Sequence, residues 1–212
     1  LKRILGETAP KPQIGLFDTK PATGMLDMFA ENPTETKDIF ETSNLTDLKS
    51  TPHKYYIVDS ETEMESLAEK FLTFDFVCLD TETTNIDAMS AELVGLSFSV
   101  AENEAYYIPI PAEKSEALKI VNKFKKVYEA ENILKIGQNI KYDIIILANY
   151  GIEVRGEIFD TMIAHYILQP ELRHNMDYLA EIYLGYKTIH IDELIGARGK
   201  KQGNMRDLKP EE

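Results

Sequence analysis

"FVCLDTE", residues 76–82, begins as a strongly apolar strand and ends on two acids. Phe76, Val77, Cys78 and Leu79 run apolar without interruption, the pattern of a strand covered on both faces. Side chains two apart on a strand share a face, so Asp80 and Glu82 project to the same side. Two like charges at the edge of a core repel each other, and removal from water adds to that cost. The stretch therefore calls for something positive in front of the strand end, which is where open α/β sheets place their ligands.

The surrounding chain is compatible with such a sheet. Its 212 residues, 43% hydrophobic and 28% charged, suit one globular domain with a proper core plus an appendage. Cys78 is the one cysteine, so no disulfide can form within the chain, and a reducing, cytoplasmic setting is expected. No apolar run approaches the roughly 18–20 residues that span a membrane, and no membrane partner is expected. The opening "LKRILGETAP" lacks the apolar core and cleavage site of a signal peptide. A net charge of −13 argues against a surface built to neutralise phosphates. Nucleases that use divalent metals are the exception, because bound ions reverse the local sign of a carboxylate cluster.

Residues 1–52 carry most of the Pro, Thr and Asn punctuation and no sustained apolar period, so they read as a linker with one short turn around Met25–Phe29. From His53 the pattern becomes dense. "KYYIVDS" predicts a strand, and Ser60 with Glu63 predicts a capping box opening a helix through Phe71. "AELVGLSFSV" and "EAYYIPIP" predict two strands joined by the turn "AENE". A helix is predicted over about 115–130, then the short strand "NILKIGQN" and a helix opened by Asn139 and closed by Gly151. Further helices are predicted over 159–168, with Asp160 as N-cap, and over 176–184, ended by Gly185. The tail from Gly196 is polar and without period, and its "GKKQG" reads as a mobile basic loop. This order of elements predicts an α/β fold with a mixed sheet flanked by helices.

A third acid, Asp143, interrupts the otherwise apolar "YDIIILA". Three carboxylates near one strand end supply the hard oxygen ligands that Mg²⁺ or Mn²⁺ prefer. Two such ions about 3.5–4 Å apart can activate a water and stabilise the leaving oxygen of a phosphodiester. The histidines His53, His165, His174 and His190 share no metal-ligand spacing.

"LDTETTNIDAMSAELVGLSFSV", "AYYIPI", "KIGQNIKYDIIILANYGIEVRGEIFDTMIAHYIL", "RHNMDYLAE" and "KTI" together resemble the 3′–5′ proofreading exonuclease domain of bacterial DNA polymerase I, over about residues 53–200. That family belongs to the DEDD exonucleases and has a ribonuclease-H-like fold. The resemblance implies that Asp80 bridges two divalent metal ions, that Glu82 binds one of them and the terminal 3′-hydroxyl, and that Asp143 supports the second. It implies that Ile86 wedges against the terminal bases. It places Gln138, Asn139, Tyr142 and Arg173 against a single-stranded or frayed DNA 3′ end, where stacking and backbone contacts hold the strand without reading its sequence.

The family's third motif, Tyr-x-x-x-Asp, is not found here. No tyrosine follows Tyr186, and neither Asp192 nor Asp207 has a tyrosine four residues before it. The resemblance therefore implies a monomeric domain cut short of its last metal ligand, slowed by orders of magnitude as isolated here. It would follow the end of a 5′-nuclease domain (residues 1–7) and a linker (8–52), and precede a polymerase domain in the same parent chain that delivers the DNA. Two other functions are compatible with parts of the pattern: a non-catalytic scaffold supporting the polymerase, and an exoribonuclease of the same superfamily.

Overall fold

The computed structural model describes residues 45–197 and 202–209. The expected end of a 5′-nuclease domain (residues 1–7), the turn at Met25–Phe29, most of the linker, and Gly199–Lys201 of the basic loop lie outside the described residues.

The apolar run becomes the central strand of the sheet. β1 (Lys54–Ile57), β2 (Phe76–Thr83), β3 (Leu93–Ala101), β4 (Glu104–Pro109), β5 (Leu134–Gly137) and β6 (Ile158–Asp160) line up in the order β1-β4-β3-β2-β5-β6. β2, β3 and β4 form an antiparallel meander, turned at Asn103 in the left-handed region at φ 58°. β1 adds parallel to β4, and β5 and β6 continue parallel beyond β2. The parallel pairs need crossovers, and helices supply them.

Between β1 and β2 runs α1 (Glu61–Phe71). Ser60 Oγ caps it by accepting from the Glu63 N–H at 3.3 Å, while its hydroxyl donates to the Glu63 carboxylate at 2.7 Å. The helix predicted over 115–130 is two helices, α2 (Lys114–Lys123) and α3 (Lys125–Glu129). The break falls at Phe124 (φ −94°, ψ 0°), whose N–H reaches back three residues to the Val121 carbonyl. Val121, Phe124, Val127 and Tyr128 are all fully buried, so both helices keep their apolar side on the core across the break. There Phe98 of β3 packs against Phe71 and Phe124, both with ring centres 5.1 Å away.

α4 (Lys141–Ala148) crosses from β5 to β6, and Gly151 at φ 78° closes its C-terminal turn. Asn139 does not cap this helix; it sits at φ 58° in the strand-to-helix turn, with its side chain on Lys141. The cap comes from Asp160, twenty residues on, whose two oxygens accept the N–H groups of Asn139 and Ile140 at 3.1 Å each. Asp160 Oδ1 also accepts from Met162 and Ile163, at 2.9 and 3.2 Å, and so starts α5 (Thr161–Leu168) as expected. One carboxylate thus satisfies orphan donors of two helices. α6 (Met176–Leu179) runs into a wider turn over Ala180–Leu184 that ends at Gly185. Thr46 pairs with the chain at this point, its N–H on the Gly185 carbonyl at 2.8 Å. Three short elements go beyond the sequence expectations: β6, which takes Phe159 and Asp160 from the predicted helix 159–168, α7 (Ile191–Ile195) and a single 3₁₀ turn over Met205–Asp207.

Candidate functional site

β2 outruns its neighbour. It pairs with β5 only over Phe76–Cys78, so its last residues present a free edge on that side. α4 fills the gap with Asp143, which is 2% exposed. Asp143 Oδ1 accepts the Thr81 N–H at 2.9 Å and the Thr81 hydroxyl at 2.6 Å. The buried acid is thereby fixed beside the strand from which Asp80 and Glu82 project.

The three carboxylates sense one another. Burial, then repulsion from Asp143 and from Glu82, pushes Asp80 up to about 7. Burial and Asp143 also raise Glu82 above the usual carboxylate range. Burial raises Asp143, against the two Thr81 hydrogen bonds that favour its charged form. Asp80 also borders an apolar cavity of about 600 Å³ under α5 and α6, walled by Ile136, Phe159 and Leu179. Among the described residues no three His, Cys, Asp or Glu side chains close into a ready cage for an ion. The donor set nevertheless fits a hard divalent cation, which would relieve the repulsion and complete its shell with water and substrate oxygens.

The residues proposed for the strand divide between two places. Ile86, 81% exposed, Asn139 and Tyr142 line a cleft of about 750 Å³ that also contains Glu82. Ile191, Ile195 and Met205 form its opposite wall. Asn204 ties that wall to the β2 end by donating to the Thr84 carbonyl at 3.2 Å. The Tyr142 hydroxyl is engaged with the Thr83 hydroxyl at 2.6 Å and with the Asn85 carbonyl, so this residue offers the cleft its ring. Gln138 lies in the apolar cavity beside Asp80 instead, donating to the His174 carbonyl at 2.7 Å and accepting from Thr161. Arg173 is exposed next to His174, on the turn before α6.

Three features escaped the sequence reading. Thr81 carries no signal of its own in the sequence beyond its place between the two acids of the strand. α7 is too short for helical periodicity to show. His165 and His174 meet with Nδ1 atoms 2.7 Å apart, a pairing that a nine-residue separation does not announce.

The family model for 3′–5′ exonuclease matches residues 55–206. DNA polymerase I of Borreliella burgdorferi is 34% identical over 94% of this chain and 20% of its own length. DNA polymerase I of Pseudomonas aeruginosa is 38% identical over 70% of this chain and 17% of its length. The chain thus spans about a fifth of these curated relatives. Among solved structures, Escherichia coli RNase D, an exoribonuclease involved in structured RNA processing, superposes with a TM-score of 0.56 at 17% identity, over 76% of this chain and 39% of that one. Brucella melitensis NrnC with bound Mg²⁺ gives 0.53 at 20% identity, over 71% and 70%. At these identities the two structures speak to the fold, a ribonuclease-H-like α/β sheet.

Proposed function

Since this chain belongs to the 3′–5′ exonuclease family, we propose that it is a proofreading domain that hydrolyses terminal nucleotides from single-stranded or frayed DNA 3′ ends with the help of two divalent ions, Mg²⁺ or Mn²⁺. The observation that carries this reading is the set Asp80, Glu82 and Asp143, three mutually repelling acids at the free end of one strand. Asp80, Glu82 and Asp143 would hold the ions, which supply an activated water and charge stabilisation at the leaving oxygen. The protein's own part is positioning. Thr81 locks Asp143, and the cleft beside Glu82 offers Ile86 and the Tyr142 ring to unstacked bases without selecting among them. Full-length relatives named DNA polymerase I support a polymerase domain as the neighbour that delivers the strand. Such a neighbour would also explain how a domain of net charge −13 meets DNA.

The test is release of nucleotides from 5′-labelled single-stranded DNA and RNA of one sequence, in Mg²⁺ or Mn²⁺. The expected result is a ladder shortening from the 3′ end of DNA, lost in Asp80→Ala. Shortening of RNA in preference to DNA would convert the reading to an exoribonuclease. Mn²⁺ binding that is insensitive to Asp80→Ala would remove its basis altogether.

A further inference from the structure

One side chain on the carboxylate face has no part in the reading above. In the sheet, Asp80 pairs with Ser97 and Ser97 with Tyr107, so these three project from one face in one row. The next row is Glu82 paired with Gly95. Gly95 has no side chain, and Tyr107 fills the vacancy. A Cβ on Gly95 would stand 2.3 Å from the Tyr107 hydroxyl and 2.3 Å from its ring edge. The phenol therefore leans out of its own row and ends beside Glu82.

Tyr107 is half-buried, and its hydroxyl has no hydrogen-bond partner among the described residues. A phenol is a neutral hydrogen-bond donor at ordinary pH. The contrast with Tyr142 is chemical. Tyr142 spends its hydroxyl on Thr83 and Asn85, within the protein. Asp80, Glu82 and Asp143 are acceptors when ionised. A nucleotide end, which presents phosphate and sugar oxygens, needs donors, and Tyr107 brings a free one to this face.

We infer that Tyr107 is a substrate-contacting residue, its hydroxyl held over Gly95 beside Glu82 to donate a hydrogen bond to an oxygen of the 3′-terminal nucleotide. The inference rests on the exonuclease reading and adds a contact to it. Gly95 is then a positioning residue, required because any Cβ there would push the phenol aside.

The test compares binding of a 5′-fluorescein-labelled linear single strand with binding of a circular strand of the same sequence. It uses the 212-residue chain in Ca²⁺, read by anisotropy. The wild type is expected to prefer the open end. Tyr107→Phe should weaken end binding about fivefold, the worth of one hydrogen bond, and leave circle binding unchanged. Its melting temperature should not fall, because the lost hydroxyl bonds none of the described residues. Gly95→Ala, with the phenol displaced, should reproduce the loss of end preference. End binding by Tyr107→Phe equal to wild type would overturn the contact while the exonuclease reading stands. A wild type indifferent to open ends would overturn both.

Discussion

Replacing Thr81 by Val isolates the hydrogen bond that fixes Asp143. Valine matches threonine in volume and branching, so β2 keeps its strand preference and its packing. The substitution removes the 2.6 Å bond from the hydroxyl and leaves the 2.9 Å bond from the Thr81 N–H. Both residues are buried, at 7% and 2% exposure, so water cannot take the place of the lost donor. A hydrogen bond to a charged group contributes about 1.5–3 kcal/mol, and a loss of about 2 kcal/mol lowers the folding constant roughly thirtyfold. With a urea dependence of about 2 kcal/mol per molar, the unfolding midpoint should drop by about 1 M in EDTA at pH 8. The same carboxylate, less firmly oriented, should bind Mn²⁺ about 10–100-fold more weakly, as losses behind a metal ligand generally do. Thr81→Ser keeps the hydroxyl and should recover most of the metal affinity. An unchanged midpoint together with Mn²⁺ affinity within twofold of wild type would refute the role given to Thr81.

Other consequences can be checked separately. Asp160→Ala strips the caps from α4 and α5 together and should cost roughly 2–4 kcal/mol in chemical unfolding; a cost near that of an ordinary surface substitution would show that the shared cap is dispensable. Asp80 in the folded chain stands at about 7, above its ordinary 3.8, so the folded state holds that proton more tightly than the unfolded one. The stability this provides is complete below the ordinary value and is lost as pH rises towards 7. The metal-free protein should accordingly melt higher at pH 5.5 than at pH 8, and Mg²⁺ or Mn²⁺ should restore stability at pH 8; the opposite pH trend in EDTA would contradict the clustering of acids. Tyr142→Phe releases Thr83 and Asn85, and hydrogen exchange across residues 83–90 should quicken while that in β3 stays slow.

Much of the sheet and of the acidic site was legible in the chain. β2, β3 and β4 show strand patterns over six to nine residues, long enough for apolar runs and turns to register. Asp143 was legible because a carboxylate in an apolar helix needs a reason to be there. The kink at Phe124 was not, because four apolar positions suit a continuous helix as well as a broken one until the sheet they must face is known. Asn139 has the residue type of a cap, yet its side chain turns to Lys141, and the strand-to-helix turn is held instead by Asp160 from the next unit of the fold.

The acids themselves, their shared face and the strand that carries them follow from spacing along the chain, since a period of two residues is a property of neighbouring backbone. Which groups stand in front of them does not. Tyr107 reaches Glu82 only because β3 pairs with both β2 and β4 in one register and leaves a glycine between them. Asp143 reaches Thr81 only because β5 stops short of the β2 end. Those juxtapositions join residues a dozen to sixty positions apart. They are decided by the packing of whole elements, whose energies are spread over many side chains and leave no mark in any single stretch of sequence.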